Sequence, residues 1–135
     1  MTVMPRAAAT AFVEALVARD LSRARALLND DVDFRAMTPN RVWEADGAAD
    51  VEAILHGWFA DPDEELHAIE PTDPVLVEDT LRVGWLVRGT EADGPFVYEQ
   101  QAYVRELDGK IAWMRLFCSG YRSQTSSPSL TASRP

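Results

Sequence analysis

Residues 96–121 read FVYEQQAYVRELDGKIAWMRLFCSGY. Two runs of alternating side chains flank Asp108-Gly109, and Asp-Gly readily adopts the two positive-φ positions of a tight hairpin turn. The stretch therefore predicts two long antiparallel strands, Phe96 to Leu107 and Ile111 to Tyr121. The period of two continues upstream, with strands expected at Leu66–Ile69, Val75–Val77 and Leu81–Gly89. Glu78-Asp79 and Glu91 to Pro95 serve as turns between them.

Before residue 60 the period changes to 3.6. Ala9, Phe12, Val13, Leu16 and Val17 form one stripe of a helix over residues 5–19, and Pro5 suits its first turn. Asp20 can cap a short second helix bearing Leu21, Ala24, Leu27 and Leu28. The Asn29-Asp30-Asp31 cluster is expected to end that helix. Val32 to Met37 alternates as a short strand, with Phe34 on one side and Asp33 and Arg35 on the other. Thr38-Pro39-Asn40 reads as a turn. A third helix spans about Ala48 to Phe59, with Asp46 as its cap and Val51, Ile54, Leu55 and Trp58 as its stripe. Helices followed by a strand meander predict an α+β fold in which the helices pack on one face of a curved, mainly antiparallel sheet.

The chain has 135 residues, 47% of them hydrophobic, which is enough for one domain with a real core. That domain is expected over residues 1–122. The Ser-, Thr- and Pro-rich residues 123–135 have little to bury and are expected to be disordered. Lys plus Arg number 13 against 22 Asp plus Glu, a net charge of −9. Such a surface repels phosphate backbones and anionic lipid heads, so neither nucleic acid nor membrane is expected as a partner. Cys118 is the single cysteine, so no disulfide can form within the chain. A lone thiol suits a reducing compartment, and the apolar run Ala7 to Ala18 is interrupted by Glu14. A cytoplasmic location without an export signal is the expectation. One cysteine and two distant histidines cannot build a structural zinc site, and no phosphate-binding glycine loop occurs. No metal and no cofactor are expected.

Three segments carry a family resemblance over roughly residues 8 to 122. They are Leu27-Leu28-Asn29-Asp30-Asp31-Val32, Asp108-Gly109-Lys110-Ile111 and Met114-Arg115. The chain resembles the NTF2-like (SnoaL-like) superfamily, which includes ketosteroid isomerase. That resemblance implies a cone-shaped α+β domain with a pocket between sheet and helices. It places the isomerase's base at Ala36 or Met37, neither of which takes a proton. Its oxyanion-binding acid falls near Gln101, a poorer partner for an oxyanion. Isomerase chemistry by that route is not supported.

Periodicity alone does not tell which face of strand 96–107 turns inward. One face carries Val97, Glu99, Gln101 and Tyr103; the other carries Tyr98, Gln100, Ala102 and Val104. The resemblance favours the Gln101 face, and on the last strand the face of Met114, Leu116 and Cys118. Glu99 then becomes the candidate acid or base, tuned by burial, with Gln101 positioning a substrate. Phe34, Trp58, Trp85 and Tyr103 are candidates to line a site for a flat ligand, or else plain core. Cys118 reads as a small buried hydrophobe or as a nucleophile. His56 lies roughly 140° off its helix stripe, so it is expected in solvent. His67, at a strand start, is no better a candidate. Asp33 and Arg35 read as an exposed pair.

Three functions fit these residues. One is a cofactor-independent isomerase, cyclase or dehydratase acting on a small apolar or polyketide-like molecule. The second is a module that binds such a molecule without chemistry. The third is an association domain. A sheet face bearing Trp113, Arg115 and Phe117 is expected to pair with a second copy.

Overall fold

The computed structural model describes residues 7–120 and the backbone of Arg122–Ser123. The expected helical role of Pro5 and all but the first residue of the 123–135 tail lie outside the described residues. Three helices, α1 (Ala7–Val17), α2 (Leu21–Ala26) and α3 (Ala48–Phe59), cover one face of an eight-stranded sheet. Its strands are β1 (Leu28–Thr38), β2 (Arg41–Asp46), β3 (Glu65–Pro71), β4 (Val75–Val77), β5 (Thr80–Glu91), β6 (Gly94–Leu107), β7 (Lys110–Cys118) and β8 (Arg122–Ser123). The spatial order is β2-β1-β7-β6-β5-β3, with β4 added to β5 and β8 to β6. All pairs are antiparallel except β1 with β7.

The apolar stripes do what their spacing demands. Ala9, Phe12, Val13 and Leu16 of α1 and Val51, Leu55 and Phe59 of α3 are buried. They meet Val32, Phe34 and Ala36 of β1, Val83, Trp85 and Val87 of β5, and Met114 and Leu116 of β7 in one core. The Asp20 carboxylate accepts a 3.1 Å bond from the Arg23 amide and caps α2 as expected.

Three local expectations are corrected. Asn29 to Asp31 lies within β1 rather than ending a helix, because an irregularity between Leu28 and Asp33 lets the strand absorb these polar residues. Residues 41–46, unassigned in the sequence, form β2. This is an edge strand whose Arg41, Glu44 and Asp46 face water while Trp43 and Ala45 pack inward. Asp46 is therefore no helix cap. Gly47 holds that position without a side-chain bond, and the Asp46 carboxylate instead accepts from Arg35 at 3.2 Å. That bond is the leading reason the Arg35 guanidinium is held above its usual pKa, with the neighbouring Asp33 and Glu44 carboxylates adding to it.

The β6–β7 hairpin decides which side chains face the helices. Across the Asp108-Gly109 turn, Leu107 pairs with Lys110 and Glu106 with Ile111. The next pair is Arg105 with Trp113, so Ala112 is one extra residue on β7. Beyond this bulge Val104 pairs with Met114, Ala102 with Leu116 and Gln100 with Cys118. Without it, Tyr103 and Gln101 would sit opposite Met114 and Leu116. The bulge thus lets β7 turn Ile111 and, beyond it, Met114 and Leu116 to the core, opposite the unbroken core-facing set Phe96, Tyr98, Gln100, Ala102 and Val104 of β6.

Candidate functional site

A cavity of about 330 Å³ opens where the C-terminal end of α3 meets the ends of β1 and β7. Thr38 comes from the end of β1 and Pro39 from the β1–β2 turn, Gly57 and Trp58 from α3, and Asp61 and Glu64 from the loop after it. Tyr98 and Gln100 of β6, with Cys118 and Gly120 at the end of β7, form the floor and far wall.

Each wall is fixed by packing. Trp58 lies edge-on to Trp43 at 5.6 Å and to Phe59 at 6.2 Å, and tilted against Phe34 at 6.3 Å between ring centroids. Arg41 covers the outer face of Trp43 at 3.5 Å. The Trp43 indole N–H donates to Thr38 Oγ1 at 2.8 Å and so orients that hydroxyl. Gly120 has φ of 85°, and a Cβ there would lie 2.7 Å from Pro39 Cγ, so only glycine lets the two turns close one wall together. The Ser119 hydroxyl accepts from the Glu99 amide at 2.9 Å, and the Ser119 amide donates back to the Glu99 carbonyl at 2.9 Å, extending the β6–β7 pairing past Cys118.

The floor carries the chemically informative group. Gln100 is 2% exposed. Its Oε1 accepts a 2.9 Å bond from the buried Trp85 indole N–H. An indole N–H only donates, so the oxygen must face Trp85 and the amide nitrogen must point away from it. Nε2 has no hydrogen-bond partner among the described residues, and Gln100 lines the cavity. A buried amide with two unused donors costs free energy unless something accepts from it. Beside it on β7, Cys118 Sγ accepts from the Gly120 amide at 3.4 Å.

The residues expected from the sequence separate into three groups. Trp58 and Cys118 do line the cavity. Phe34, Trp85, Met114 and Leu116 lie on the helix-facing side but are core, each no more than 1% exposed. Glu99, Gln101 and Tyr103 are on the opposite face of the sheet, where with Phe117, Cys118 and Ser119 they border an open groove. There the Gln101 amide donates to the Glu99 carboxylate at 3.3 Å. Glu99 is therefore not a carboxylate in the cavity between sheet and helices: β6 alternates without a break from Phe96 to Val104, and its even-numbered residues are the ones that face the helices. Tyr98 and Gln100 were the alternative face of the same strand. Thr38 and Pro39 read as part of a turn and not of a site, Gly57 is an exposed residue of α3 and Asp61 lies in the loop after it, so none of them falls on an apolar period.

His56 is exposed beside Glu52 at 3.7 Å, and the exposed His67 meets Thr90 Oγ1 at 2.7 Å. Neither reaches the cavity. Asp33 and Arg35 do pair, at 3.2 Å, within a wider network that includes Arg115 at 3.1 Å from Asp33. Among the described residues no group of three or more His, Cys, Asp or Glu is placed to hold a metal ion. No helix among them is long and apolar enough to cross a membrane.

No protein-family model and no curated protein matches the chain in sequence. Solved structures do match. An NTF2-like protein of unknown function from Cytophaga hutchinsonii aligns at 14% identity over 85% of this chain and 99% of its own, with a TM-score of 0.63. A ketosteroid isomerase-like protein from Catenulispora acidiphila, solved in complex with trimethylamine, aligns at 17% identity over 91% and 90%, with a TM-score of 0.62. An LEH-like epoxide hydrolase from M. tuberculosis aligns at 14% over 83% and 80%, with a TM-score of 0.61. Helices packed on a large curved sheet, and these likenesses in structure, make the chain an NTF2-like α+β cone.

Proposed function

We propose that this chain holds a compact, mainly apolar small molecule in the cavity beneath α3, with the Gln100 amide donating to an acceptor on that molecule. The observation that carries the reading is the buried Nε2 of Gln100 at the cavity floor, which has no hydrogen-bond partner among the described residues. Trp58 and Pro39 offer apolar surface to the body of the ligand. Asp61 at the rim offers a carboxylate that can exchange a proton, so cofactor-independent isomerisation, cyclisation or dehydration is chemistry this site can accommodate. Glu99 takes no part in that reading.

The test uses 1-indanone and its carbonyl-free counterpart indane, followed by two-dimensional NMR of the labelled protein. Indanone is expected to shift the Gln100 side-chain amide, the Trp58 indole and the 118–120 backbone amides. Indane is expected to bind about tenfold more weakly, as for a site whose buried donor goes unmet. Equal affinity for the two, or shifts confined to the Glu99 and Gln101 groove, would refute the reading.

A second role is favoured by the opposite sheet face. Val42, Met37 and Phe117, at 61%, 53% and 46% exposure, form one continuous row across β2, β1 and β7. Trp113, four residues farther back along β7 on the same face, is covered by Arg105 and Arg115, at 4.2 and 4.5 Å from its ring centre. We propose that a second copy of the chain covers the apolar row. Light scattering at micromolar concentration is expected to give a dimer, and Phe117→Glu to give a monomer with an unchanged fold. A wild-type monomer would remove this role.

A further inference from the structure

Cys118 and Gln100 are Cα partners on adjacent strands, and both line the same cavity. Directly paired residues on one sheet face hold their Cβ atoms about 4.5–5.5 Å apart. A carbonyl oxygen bound at Gln100 Nε2 therefore places the atoms a few bonds away within reach of Cys118 Sγ. The sulfur is oriented by the Gly120 amide, which donates to it at 3.4 Å. The amide is oriented by Trp85, as described above. A nucleophile and a hydrogen-bond donor thus stand side by side, each held by a backbone or core group that the ligand need not touch.

We infer that the cavity captures α,β-unsaturated carbonyl compounds covalently through Cys118, with Gln100 holding the carbonyl oxygen. This rests on the pocket reading above and adds a reaction to it. The thiol sulfur bonds to the β-carbon, and the π electrons of the C=C bond move to the carbonyl oxygen to give an enolate. Gln100 Nε2 donates to that oxygen as its negative charge grows. The α-carbon then takes one proton, in place of the one that left the thiol to water at the cavity mouth. One S–H and one C=C π bond are lost, while one S–C and one C–H bond form. The balance needs no oxidant, reductant or further co-reactant. The product is a thioether that still bears its carbonyl group.

Intact-mass spectrometry of the full chain with 2-cyclohexen-1-one tests the inference. Wild type is expected to gain one reagent mass at least about tenfold faster than N-acetylcysteine at the same pH, the advantage of holding the two reactants together. Cys118→Ser should gain none. Gln100→Leu should slow the addition about tenfold. Because that variant leaves the Trp85 indole unpartnered, the double variant Trp85→Phe/Gln100→Leu repeats the measurement with both polar groups gone. Saturated cyclohexanone should protect the thiol by competition. A wild-type rate equal to that of N-acetylcysteine, or an undiminished rate in the double variant, would overturn the inference. Cyclohexanone shifts at the Gln100 amide without accelerated addition would overturn the covalent step alone and leave the pocket reading standing. The absence of both would sink the two together.

Discussion

Phe34→Ala is expected to lower the unfolding free energy by about 3–5 kcal/mol, the range for removing a buried aromatic side chain. Phe34 is fully buried on β1, packed against Trp58 and surrounded by the apolar residues of α3 and β7. No ligand is needed to fill the space around it. The truncation therefore leaves an internal void whose lining loses its dispersion partners. Urea unfolding checks this through the midpoint at unchanged slope. A loss below about 1 kcal/mol, an ordinary surface-like effect, would mean that Phe34 borders open space and lines a binding site, as the sequence allowed. Trp58→Ala is the contrasting case, since its ring is only part-buried and borders the cavity.

The Trp85–Gln100 pair should show strong coupling in a double-mutant cycle. Gln100→Leu leaves an indole N–H in the core with nothing to accept it, which costs about 1–3 kcal/mol. Trp85→Phe removes the donor and frees the Gln100 oxygen. In the double variant neither unmet group exists, so the losses should not add. An interaction of about 1–3 kcal/mol is expected, within the range found for residues in direct contact. Additive losses within about 0.5 kcal/mol would show that the 2.9 Å bond contributes little and that the amide orientation is not held by Trp85.

Most of the architecture was legible because the chain states its periods clearly. The stripe on α1, the Asp20 cap and the Asp108-Gly109 turn are local signals that tertiary packing did not override. The edge strand β2 was not legible. It is short, charged on its outer side and broken by a glycine at its end, so no alternating apolar run announces it. The site was only partly legible, for a different reason. Strand β6 carries polar and apolar side chains on both faces, and which of them shares a face with Met114 and Leu116 hangs on whether β7 holds an extra residue near Ala112. Nothing about an alanine between Ile111 and Trp113 announces a bulge. Taking Met114 and Leu116 as inward and pairing the strands without the bulge puts Glu99 indoors and Gln100 outdoors, and each is the reverse of what the fold shows. The turn residues that complete the rim follow no period at all.

The parallel pairing of β1 with β7 has a consequence for how the protein is made. Arg115 bonds to Asp33 across 82 positions of sequence, and the cavity rim is built where these two strands end. Such a contact closes a long loop, whose entropy must be paid in advance of any gain. The helices and the β5–β6–β7 meander join near neighbours and can form early, whereas the meeting of β1 and β7 is non-local and comes late. During synthesis β1 leaves the ribosome with no partner but β2 until residue 118 has emerged, so its inner edge waits unpaired through most of translation. The pocket is thus the last part of the molecule to exist. A chain stalled or cut before β7 would carry all three described helices and still own no cavity.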